Sequence, residues 1–179
     1  MSSQLEQSIT ALEFALKTEQ DGEAYYRQVA QRSQNPIVRA TFVSLARDEL
    51  YHAQTIERFA ADLKASGQWA ESELKARVSD QSGEVLTMFR EALDGGEVQK
   101  GHSSDDSEAY AKAAEFERKG GAFFRQQAEA AQAESARAFW QFLVEEEDRH
   151  LTLIQTTLNY LDRTEDFHLI MERAILDGG

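Results

Sequence analysis

Glu49-Leu50-Tyr51-His52 recurs, 98 residues later, as Glu147-Asp148-Arg149-His150. In each copy a glutamate and a histidine stand three apart, a spacing that puts both on one face of a helix. The flanks read as helix. Leu45, Glu49, His52, Ile56 and Phe59 form one stripe, and Trp140, Leu143, Glu147, His150, Ile154 and Leu161 form its counterpart. Twice, at one offset, an acid and an imidazole interrupt an apolar seam.

The repeat extends outward without a gap from Ala15 to Leu63 and its copy. Ala24-Tyr25-Tyr26-Arg27-Gln28-Val29-Ala30 matches Ala122-Phe123-Phe124-Arg125-Gln126-Gln127-Ala128, and Arg39-Ala40 matches Arg137-Ala138. Thirty residues before each Glu-x-x-His glutamate stands another glutamate, Glu19 and Glu117. Each lies in an apolar stripe: Leu12, Leu16, Glu19, Tyr26, Ala30 in one, and Tyr110, Ala113, Glu117, Phe124, Ala128 in the other.

These patterns predict a helix hairpin over 4–66, with Asn35 capping its second helix, Pro36 in the first turn and Gly67 ending it. A crossover over 67–105 follows, with a short helix from about Ser82 to Leu93 and glycine-rich loops at Gly95-Gly96 and Gly101 to Asp105. A second hairpin occupies 106–162, and a short C-terminal helix over 166–175 packs on one end. The expectation is one all-α domain over 1–179: a ferritin-like four-helix bundle of two duplicated antiparallel hairpins with one long crossover.

Composition agrees. Ala, Glu, Gln, Leu and Arg dominate and favour helix, while sparse Val and Ile argue against a large sheet. A net charge of −13 disfavours nucleic-acid binding, because such a surface repels phosphates. The absence of cysteine excludes disulfides, a thiol nucleophile and an iron–thiolate centre. No basic segment followed by an apolar run opens the chain, and no stretch is long enough for a membrane span, so a cytoplasmic location is expected.

Six residues carry the chemistry: Glu19, Glu49, His52, Glu117, Glu147 and His150. Four unpaired carboxylates in one core would cost several kcal/mol each. Two divalent cations neutralise them, with the histidines bound as neutral imidazoles. One Glu from each of two helices and Glu-x-x-His from each of the other two is a known way to hold two metals in a bundle. A single Glu-x-x-His is weak, since that spacing is common on solvated faces, and Glu145 to Asp148 alone reads as one. Two copies at one offset, each with an in-stripe glutamate upstream, are not explained that way. Carboxylate-rich ligation with two imidazoles suits iron or manganese and admits zinc.

Other residues read more plainly. His102 sits in a glycine–serine loop and His168 on the terminal helix. Tyr26 and Phe124 are matched aromatics read first as core packing, with a hydrogen bond from Tyr26 to a ligand left open. Glu23, whose copy is Gly121, reads as a surface or outlying residue. Gly22 and Gly120 match each other three residues after Glu19 and Glu117, and glycine within a helix costs about 1 kcal/mol relative to alanine, which suggests close approach near the metals.

With these residues placed, the sequence resembles the rubrerythrin branch of the ferritin-like di-iron carboxylate superfamily. The carriers are Glu19 with Tyr25-Tyr26, Glu49 to His52, Glu117 with Phe123-Phe124, and Glu147 to His150, and the resemblance covers most of 5–162. It implies two iron ions, bridged by Glu49 and Glu147, which are then the catalytic residues. Glu19 with His52, and Glu117 with His150, complete the coordination, and which histidine shares a metal with which of these glutamates stays open. There are two departures. Rubrerythrins proper carry a cysteine-ligated rubredoxin domain, and this chain has no cysteine. They also place an extra glutamate three residues after the third-helix ligand, where this chain has Gly120. The ligand count is nearer to bacterioferritin-type centres.

The resemblance implies an oxidoreductase that reduces hydrogen peroxide or dioxygen at a diferrous site, with electrons from a separate donor protein, in a homodimer. A ferroxidase or iron-handling protein, an oxygen-activating hydroxylase and a non-catalytic metal-binding protein stay open beside it.

Overall fold

A computed structural model describes residues 3–70 and 103–162, and everything structural below concerns these residues. Four long helices account for nearly all of them: α1 (Ser3–Arg32), α2 (Pro36–Ser66), α3 (Ser104–Ala130) and α4 (Glu134–Asp162). The short crossover helix, the helix over 166–175, His102 and His168 lie outside the described residues.

Local chemistry sets the ends of the helices. The Asn35 side chain accepts from the backbone N–H groups of Ile37 at 2.9 Å and Val38 at 3.3 Å, and Pro36 occupies the first turn. Gly67, at φ 71°, closes α2 in the left-handed conformation and donates its N–H to the Leu63 carbonyl at 2.9 Å. The third helix begins at Ser104, slightly earlier than the expected Asp106. The reason is a capping box: Ser103 accepts from the Asp106 N–H, and the Asp106 carboxylate accepts from the Ser103 N–H. The Ser33 hydroxyl also donates to Asp106 at 2.9 Å, tying the α1–α2 turn to the start of α3.

Neighbouring helices run antiparallel around the bundle. Phe14 meets Phe123 and Tyr26 meets Phe116, so α1 and α3 run in opposite directions. Phe59 meets Phe139 and Thr41 meets Thr157, so α2 and α4 do too. Trp69, just past α2, packs on Phe139 and Trp140 near the start of α4. The chain therefore leaves α2 at one end of the bundle and enters α3 at the other.

Two apolar clusters fill the interior. One holds Tyr26, Val38, Phe42, Leu45, Tyr110, Ala113 and Ile154. The other holds Leu12, Ile56, Phe59, Phe124, Phe139, Trp140 and Leu143. Each large side chain buried this way contributes about 1.5–3 kcal/mol, which offsets the cost of the acids held between the clusters. None of these helices is long and apolar enough to cross a membrane.

Candidate metal centre

Between the two clusters, each helix contributes polar side chains to one interior space. Glu19 comes from α1, Glu49 and His52 from α2, Glu117 from α3, and Glu147 and His150 from α4. All six are at most 3% exposed. They are inside because each occupies the register position of a core residue: Glu19 follows Leu12 and Ala15, and Glu49 and His52 fall between Leu45 and Ile56.

The donor atoms converge in two groups. Glu19, Glu49 and His52 each place one ligand atom within 4.8 Å of the others, and so do Glu49, Glu117 and His150. Glu49 belongs to both. His52 Nδ1 lies 3.2 Å from Glu19 Oε2 and 3.3 Å from Glu49 Oε2. His150 Nδ1 lies 3.2 Å from Glu117 Oε2 and 3.6 Å from Glu49 Oε1. Glu147 stands outside both groups, with its carboxyl against that of Glu117 and over Gly120.

The outward nitrogens of the two imidazoles also face acids. His52 Nε2 is 3.3 Å from Glu146 Oε2, and His150 Nε2 is 3.7 Å from Asp48 Oδ2. Asp48 and Glu146 are themselves copies of one another, and each serves the histidine of the opposite half. A carboxylate behind a histidine sets its tautomer and aims the other nitrogen inward. Sequence reasoning missed this pair. Its signal was present as an acid immediately before each Glu-x-x-His glutamate, but Glu146 was hidden within a run of acids. Arg149 pairs with Glu146 from the solvent side.

Tyr26 does more than pack. Its hydroxyl donates to Glu117 Oε1 from a fully buried position. Its copy, Phe124, has no hydroxyl to give. Glu23 instead pairs with Arg27 one turn along α1.

Two glycines leave room for the carboxylates. A Cβ on Gly120 would stand 3.2–3.3 Å from the Glu147 carboxylate. One on Gly22 would stand 2.9 Å from the Phe116 ring and 3.4 Å from Glu49 Oε1.

The electrostatics are those of anions crowded out of water. Burial, then the Glu19 carboxylate, pushes Glu49 well above the ordinary carboxylate range. Burial, then Glu117, does the same to Glu147. Burial would also raise Glu117, but His150, Glu147 and the Tyr26 hydroxyl outweigh it and leave Glu117 at about 2. Burial would lower His150, but Glu117, Asp48 and Glu49 hold it up at about 10. Burial and the Glu117 charge keep the Tyr26 phenol protonated. Glu19 Oε1, Glu49 Oε1 and Glu147 Oε2 are buried with no hydrogen-bond donor. Orphaned carboxylate oxygens converging with two imidazoles are donors of the kind that could hold divalent cations.

A family model described as rubrerythrin matches residues 10–158. No curated protein and no solved structure matches the chain. Proteins of that family are ferritin-like bundles that typically bind iron.

Proposed function

The chain belongs to the rubrerythrin family, and on that premise we propose that it is a di-iron oxidoreductase that reduces hydrogen peroxide or dioxygen. The observation that supports this reading best is the sharing of Glu49 between two buried carboxylate–imidazole groups, one from each half of the duplication. Glu19 with His52 and Glu117 with His150 would hold one ion each, and Glu49 and Glu147 would bridge them. The four ligand carboxylates would balance two divalent cations, so the proposed ligand set carries no net charge once loaded.

A bound ferrous pair supplies the two electrons that, with two protons, convert hydrogen peroxide into two waters. The chain's own residues do the rest. With ions bound, the histidines would give up a proton and offer Nδ1 as neutral ligands, held by Asp48 and Glu146 from behind. Tyr26, kept protonated, fixes Glu117. The aromatic and aliphatic clusters on either side exclude bulk water and strengthen every charge interaction inside. Electrons to restore the ferrous state come from a separate donor protein.

A second reading, iron oxidation and handling, is favoured by one observation. The space beside Gly120 is taken by the Glu147 carboxylate, so the centre keeps six protein ligands and the near-symmetry of an iron-oxidising site. Stopped-flow oxidation of the diferrous protein separates the two. Oxidation by peroxide much faster than by dioxygen supports the peroxidase. Catalytic turnover of excess ferrous iron supports the ferroxidase. An iron pair inert to both oxidants removes both.

A further inference from the structure

The duplication makes the two halves of the centre near copies, so the places where they differ are informative. Glu117 has both oxygens engaged: Oε1 accepts from the Tyr26 hydroxyl, and Oε2 faces His150 Nδ1 at 3.2 Å. Its copy Glu19 faces His52 Nδ1 through Oε2 at 3.2 Å, but its Oε1 is buried with no donor. The difference traces to one pair of residues, Tyr26 and its copy Phe124.

We infer that the two cation positions are unequal and are filled in order, the Glu19–His52 position first, because Tyr26 ties up one oxygen of Glu117. A cation that takes both oxygens of Glu117 must displace a hydrogen bond from a buried hydroxyl to a charged group, among the stronger kinds in proteins. At Glu19 Oε1 no such hydroxyl has to be displaced. Tyr26 also fixes the orientation of Glu117, which favours binding through Oε2 alone. That gain is the entropy of one carboxylate torsion and is smaller than a charged hydrogen bond.

The remaining geometry points the same way. His52 Nδ1 has carboxylate oxygens at 3.2 and 3.3 Å, against 3.2 and 3.6 Å for His150 Nδ1. The carboxylate behind His52 is at 3.3 Å, and the one behind His150 is at 3.7 Å. The first half is the more compact donor set before any cation enters. Tyr26 is therefore a positioning residue that ranks the two sites.

This inference rests on the metal-centre reading above but not on any redox step, so a redox-inert ion tests it. Metal-free protein labelled with 15N-histidine is titrated with zinc and followed by the imidazole resonances. With one equivalent of zinc, the His52 resonances shift to the bound position in preference to those of His150 by about tenfold or more, the scale set by a charged hydrogen bond. In Tyr26→Phe the preference falls toward equality, and in Phe124→Tyr, which gives Glu19 a hydroxyl of its own, it falls as well. Equal filling in the unmutated protein, His150 filling first, or a preference untouched in both variants overturns the ranking. Zinc that shifts neither histidine overturns the ranking and the metal centre together. Ordered filling in a protein whose iron form ignores peroxide and dioxygen upholds the ranking and removes only the proposed reaction.

Discussion

The imidazoles of His52 and His150 stack with ring centroids 5.4 Å apart and planes inclined by 27°. They come from α2 and α4, helices that belong to different copies of the repeat. Each histidine leans on the acid that precedes the Glu-x-x-His glutamate of the other copy, Glu146 for His52 and Asp48 for His150. The two hairpins are thus cross-linked through the centre, and neither half holds its own histidine in place unaided.

Exchanging those outer acids for their amides tests this coupling. In Asp48→Asn and Glu146→Gln the side chain keeps its shape and loses its charge. Both proteins should still bind two ions, with affinity lower by roughly 10- to 100-fold, as is usual for residues that orient metal-ligating histidines. Competition against a chelator measures it. Unchanged affinity in both would mean that the histidines are held by packing alone.

Removing the proposed bridges should be harsher. Glu49→Ala and Glu147→Ala should each bind fewer than two ions, as read by elemental measurement on protein loaded with excess ferrous iron and then desalted. Glu49 sits in both donor groups, so its loss should leave the less metal of the two. Two ions retained in either variant contradict its bridging role.

The bundle and the burial of the six proposed ligands were readable from the chain, because helical periodicity and a gapless repeat both register at the level of residue type. Glu19 and Glu117 stood out by interrupting apolar stripes, and the structure buries both. What the sequence hid depends on side-chain direction. Tyr26 read first as a core aromatic with a hydrogen bond to some ligand left open, since nothing in its spacing reveals that its hydroxyl ends at Glu117 on a neighbouring helix. Glu146 looked like one more solvated acid, since only the rotation of α4 turns it inward while Glu145 stays exposed. The start of α3 shifted because the capping partner Asp106 was read as the first helical residue.

Without metal, stability should fall as pH rises from about 5 to 8. Glu49 and Glu147 are raised in the folded state above the ordinary 4.5, so the folded chain holds protons that the unfolded chain has released. Stability then declines as pH climbs above 4.5, because the unfolded chain ionises these two groups before the folded chain does. His150, raised from 6.5 to about 10, acts in the same direction: its contribution is complete below 6.5 and is lost as pH climbs through about 10. Glu117, lowered to about 2, has the opposite sign, but its contribution is complete above 4.5 and is lost only as pH falls through about 2, outside this window. Cations demand the deprotonated ligands, so loading should reverse the trend. Melting temperatures at pH 5.5 and 8, with and without zinc, decide it. Metal-free protein that is more stable at pH 8 would contradict the raised carboxyls.

Gly120→Ala sets helix propensity against the metal centre. Alanine favours the helix by about 1 kcal/mol over glycine, and Gly120 has no positive φ that would forbid it. Its Cβ, however, would stand 3.2–3.3 Å from all three atoms of the Glu147 carboxylate, tighter than most such contacts. The carboxylate is the far end of a flexible side chain and can move, so the metal-free protein should be as stable as the parent or slightly more so. The movement shifts the carboxylate of Glu147, a proposed bridge, from the place it occupies over Gly120. Affinity for the ion pair should therefore drop by about tenfold, the lower end of the range for residues that hold ligands in place. Denaturant melts of the metal-free form and chelator competition of the loaded form read the two effects separately. A variant that gains stability and keeps full affinity would show that Glu147 does not need the space beside Gly120.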